Sequence, residues 1–83
     1  MSRSRDASLR AAAFRAFSDS RPDPDAARLD LGLSPRSWQR MRNSATPPPP
    51  RLLIEIADSL DDAPLLEAQL RAAAANSEAR AHA

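Results

Sequence analysis

Cysteine is absent from this 83-residue chain. Disulfides and cysteine-based zinc sites are thereby excluded. There is one histidine, His82, beside the C-terminus. A histidine-built metal site or a serine–histidine couple has no second member to draw on. There is one glycine, Gly32, and every one of the twelve basic residues is arginine. The phosphate-cradling loop G-x-x-x-x-G-K cannot be written from that stock. Aromatics make up only 4% of the residues, too few for the stacking platforms that grip single-stranded nucleic acid. No apolar run approaches the ~20 residues of a membrane span, and no long apolar leader precedes the first acids, Asp6 and Asp19. The expectation is therefore a cytoplasmic, non-enzymatic protein without metal, cofactor or small-molecule substrate.

What is present is helical punctuation. Eight prolines and the single glycine fall between apolar stretches. No stretch alternates with the two-residue period of a strand. Residues 1–5 read as a basic arm carrying Arg3 and Arg5. Asp6 is an expected cap for a first helix over 7–18, with Leu9, Ala12, Ala13, Ala16 and Phe17 on its apolar face and Phe14 at the edge. Asp23 then caps a second helix that starts at Pro24 and runs to about Leu31. Ser34 and Pro35 start a third that ends near Asn43. Thr46 and the four prolines after it predict an extended connector. The alternative there is a ligand for a proline-binding domain. A fourth helix over 50–60 carries Leu52, Leu53, Ile56 and Leu60 as the core stripe. A fifth begins near Ala63 or Pro64, capped by Asp61 or Asp62, and ends near Ala75. Residues 76–83 read as a frayed tail. The fold class expected is all-α, a compact bundle of about five short helices, with residues 6–75 as its domain.

Net charge is +1, but its distribution is uneven. Residues 34–51 hold Arg36, Arg40, Arg42 and Arg51 and no acid, a local charge of +4. Residues 52–83 balance to −4. A basic segment beside an acidic one is the footprint of a polyanion-binding face. Within 26–43, a short helix is followed by a glycine turn and then by a helix rich in arginine. That order is the pattern of a helix-turn-helix, whose second helix enters the major groove of DNA. Trp38 and Met41, three apart, share one face of the third helix and are expected to point inward. The opposite side then presents Arg36, Ser37, Gln39, Arg40, Arg42 and Asn43. Arginine reads guanine edges, amides read adenine, and hydroxyls hold phosphate.

The stretch LGLSPRSWQRMRN, followed by TPPPPRLLIEIA, resembles the lambda-repressor and Cro-like helix-turn-helix family. It is similar in particular to small phage regulators such as the anti-CRISPR-associated repressors. The resemblance covers residues 24–60. It implies base reading by Arg36, Ser37 and Arg40, and phosphate contacts from Ser34, Gln39, Arg42 and Asn43. Arg28 departs from the pattern, since the family carries a small residue four positions before the turn glycine. Arg3 and Arg5 are candidate arm contacts in a minor groove. Leu65, Leu66 and Leu70 either close the core or form a dimer seam. The function implied is sequence-specific binding of double-stranded DNA as a homodimer on an inverted repeat, repressing a promoter by occupancy. Three other readings are open, the second of them disfavoured by the scarcity of aromatics. They are a phage protein that inhibits a host protein through its helical surface, an RNA or single-strand binder, and an assembly subunit.

Overall fold

The structure, a computed structural model, describes the backbone of residues 2–43 and 46–82 and the side chains of 7–43 and 46–75. Among these residues it is all-helical, with α1 at Ser2–Ser20, α2 at Pro24–Asp30, α3 at Pro35–Arg42, α4 at Pro50–Ser59 and α5 at Pro64–His82. The caps explain the interior boundaries. The Asp23 carboxylate accepts the Ala26 N–H at 3.2 Å, and Pro24 occupies the first helical position of α2. The Ser34 hydroxyl does the same for the Ser37 N–H at 3.1 Å, again with proline next in line. Pro49 precedes α4 with φ −70° and ψ 152°, the polyproline II conformation expected of the proline run. Pro48 in that run is fully buried, and its carbonyl accepts the Arg10 Nε–H at 2.8 Å. The run is thus a packed connector, and a buried proline is closed to a proline-binding domain.

The two outer helices differ from expectation. α1 begins at Ser2, so residues 2–5 belong to a helix and not to a separate arm, and Asp6 lies within it. α5 continues to His82, through the segment read as a frayed tail. Neither stretch contains glycine or an internal proline, and alanine and arginine propagate a helix once begun. Nor does an aspartate set the first backbone bond of α5. The Glu67 N–H donates to the Ala63 carbonyl at 2.9 Å, one residue beyond Asp62.

The core lies where α4 and α5 pack together and α1 crosses both, with α3 held against α1. Phe14, Leu53, Ile56 and Leu70 are its fully buried centre. The inward face of α1 is centred on Phe14, flanked by Ala11, Ala13 and Phe17; Leu9 and Ala12 are exposed. Alanines encircle this helix, so spacing alone leaves its orientation open. The two phenyl rings settle it, because each hides far more apolar area than an alanine. Trp38 and Met41 are buried as expected. α2 is peripheral and contributes no buried residue.

α2 ends in a two-bond cap. The Gly32 N–H donates to the Leu29 carbonyl at 3.0 Å, and the Leu33 N–H to the Arg28 carbonyl at 3.1 Å. This is a Schellman closure, which needs a left-handed residue at its apex. Gly32 supplies it with φ 70°. A Cβ at this position would meet nothing within 4 Å. Gly32→Ala is therefore expected to cost only the left-handed backbone penalty, about 1–2 kcal/mol. Gly32→Asn is expected to cost less. Thermal unfolding followed by far-UV circular dichroism checks the order Gly, Asn, Ala.

Candidate nucleic-acid interface

α3 is a short helix held from one side. Its Trp38 ring meets Phe14 edge-on, with centroids 4.9 Å apart and planes at 67°. Phe17 lies 6.1 Å from the same indole. Such pairs contribute about 0.5–1.5 kcal/mol beyond the area they bury. Met41, one turn on, is buried too. At its far end the Asn43 N–H donates to Gln39, and the Thr46 N–H returns to the Arg40 carbonyl at 3.2 Å. The helix axis is thus tied down by α1 and by the chain that follows, with little help from α2.

The opposite side of α3 faces outward. Arg36, Gln39, Arg40 and Asn43 are all exposed. Arg36 and Arg40 stand one turn apart, and among the described residues neither has an ion-pair partner. Gln39 Nε2 approaches Asn43 Oδ1 at a long 3.5 Å. Ser37 is exposed on the flank, and its oxygen accepts the Ser34 hydroxyl at 3.0 Å. Ser34 and Ser37 are thus occupied with one another in capping α3.

Arg42 stands apart from the row. Its guanidinium pairs with Asp19 of α1 at 2.8 Å, and its carbonyl accepts the Arg15 Nε–H at 3.2 Å. The expected phosphate contact is already neutralised by an acid from another helix, 23 residues away in sequence. Counting charge along the chain could not reveal that. The proposed dimer seam also needs correction. Leu70 is fully buried within its own chain and Leu66 packs partly against that core, whereas Leu65 is 87% exposed. The three leucines do not form one surface, because Leu66 and Leu70 lie a turn apart on the inward side. The side chains of Arg3 and Arg5 lie outside the described residues.

Arg28 and Arg71 gain roles that sequence inspection missed. Arg28 reaches across the glycine turn and donates from Nη1 to the Leu33 carbonyl at 2.8 Å, with Asp25 at 3.8 Å from its Nε. The residue that departs from the family pattern is a clamp on the turn. Its spacing of three from Asp25 was the available signal. Arg51, at the start of α4, is exposed and has no ion-pair partner among the described residues. By contrast Arg71 is held between Asp58 at 2.8 Å and Glu67 at 3.0 Å. Hydrogen bonds to Asp58 and then Glu67 raise its pKa above the ordinary arginine value. The acids of α4 and α5 are thus partly spent on one arginine.

Among the described residues no cluster of three or more histidine, cysteine, aspartate or glutamate side chains could hold a metal ion. No described helix is long and apolar enough to cross a membrane. Comparison with protein families, curated proteins and solved structures finds no match to this chain.

The Asp19–Arg42 pair is exposed on both sides. Asp19→Asn is expected to lower stability by no more than about 1 kcal/mol in urea unfolding. A larger loss would mean that the pair, and not the aromatic contact, holds α3 in place.

Proposed function

We propose that the chain binds double-stranded DNA by laying the outward side of α3 in the major groove. One observation carries this: Arg36 and Arg40 project side by side, unpaired among the described residues, from a helix whose other side is locked by Trp38. Residues one turn apart on a helix have Cβ atoms about 5–6 Å apart. That spacing suits two nearby base steps, with each guanidinium offered bidentately to a guanine. Gln39 and Asn43 are exposed on the same helix, with amide groups suited to phosphate or adenine. Arg42 contributes to phosphate binding only by leaving Asp19, so its share is smaller than local charge suggests.

A single domain with so short a reading helix has a small footprint. Two copies on an inverted repeat, with half-sites about 34–36 Å apart, bring the affinity into a useful range. Occupancy of a promoter by such a homodimer gives repression. The resemblance to small phage regulators fits a repressor of that kind acting in the cytoplasm. The competing role, docking on a host protein, predicts weak salt dependence. Duplex binding that uses several phosphates falls by orders of magnitude between low and physiological salt.

Selection of random duplexes followed by sequencing is expected to return a palindromic site. On that site Arg36→Ala and Arg40→Ala should each cost about 1–3 kcal/mol and relax one position per half-site. Arg42→Ala should weaken all sequences alike. Mobility shifts across a salt series read these outcomes. If both single changes leave binding intact, α3 is not the reading helix.

A further inference from the structure

Asp19 stands where local electrostatics disfavour an acid. It lies in the last turn of α1, which contains no basic residue, and it reaches the last turn of α3. The C-terminal ends of helices carry partial negative charge, so both ends repel a carboxylate. Its compensation is Arg42, the final residue of α3, whose Nη2 donates to Asp19 Oδ1 at 2.8 Å. Arg15, one turn before Asp19, donates from Nε to the carbonyl of the same arginine at 3.2 Å. Helix α1 thus grips Arg42 at its backbone and at its guanidinium. Among the described residues, Asp19 is the one acid paired with α3.

Local rules are broken chiefly where function requires it. The pair is exposed, 39% at the Arg42 side chain and 57% at that of Asp19, so water screens it and its hold is weak. It opens without disturbing the core. We propose that Asp19 is a brake on phosphate binding: it keeps Arg42 folded back on α1 and lowers affinity for every duplex alike. This rests on the reading of α3 as the duplex-binding helix. Phosphate contacts carry no sequence information. The brake therefore acts on affinity and salt dependence and leaves base preference to Arg36 and Arg40.

Mobility shifts of the full chain on a duplex from the selection and on a scrambled one, across a salt series, test the brake. Asp19→Asn is expected to tighten both duplexes about three- to fivefold at low salt, the upper range of an exposed ion pair. Its log–log salt slope should steepen by about 0.9, the mark of one more phosphate neutralised. Asp19→Ser also removes the charge and should reproduce the gain, so a folding defect in one variant does not decide the outcome. Asp19→Glu keeps the carboxylate and should match the unchanged chain. In an Arg42→Ala background Asp19→Asn should change binding by less than about twofold, because the gain runs through the arginine. Equal or weaker binding by both neutral variants overturns the brake. So does a full gain in the Arg42→Ala background, which would mean bulk charge alone. If the unchanged chain shifts neither duplex at low salt, the duplex-binding reading itself falls, and the brake with it.

Discussion

The edge-on contact between Phe14 and Trp38 is the constraint on which the candidate surface rests. It joins helices 24 positions apart in the chain and sets which side of α3 is inside. A ring meeting an indole edge-on has a preferred angle, whereas aliphatic contacts slide. Once the indole is seated against Phe14 and Phe17, the helical repeat leaves Arg36 and Arg40 no position but the outside. Without that contact α3 would be a single short amphipathic helix, below the length at which helices persist alone in water.

α2 has a role different from the usual brace. It buries no residue of its own. Its contribution is the turn it delivers: a Schellman closure at Gly32, stapled by the Arg28 guanidinium to the Leu33 carbonyl. The turn sets where Ser34 begins α3, while α1 sets how α3 is rotated. Start point and rotation are therefore controlled by different parts of the chain. The side of the turn that faces α4 remains open as an apolar groove.

Arginine is spent in two ways here. Arg10, Arg15 and Arg28 donate to backbone carbonyls of the connector, the end of α3 and the turn. Arg42 and Arg71 are neutralised by acids from other helices. A planar fork with several fixed donors suits such bridging better than an ammonium does. Among the described residues Arg36, Arg40 and Arg51 are left exposed without an ion-pair partner, which gathers unpaired positive charge on α3 and the start of α4. A net charge close to zero conceals that concentration.

The sequence by itself determined the features written within a few residues. The caps at Asp23 and Ser34, proline at the first helical positions, glycine at the left-handed turn and the extended proline connector were all legible, because each is a hydrogen bond or dihedral preference spanning about four residues. The inward placement of Trp38 and Met41 was legible from spacing, and with it the outward arginine row. Tertiary structure alone decided the rotation of α1, the burial of Leu70, the engagement of Arg42 with Asp19 and the bracing of α3 by α1. Each of these depends on which surface arrives opposite a residue. In an alanine-rich helix many rotations bury similar area, and only the aromatic partner on another helix breaks the tie.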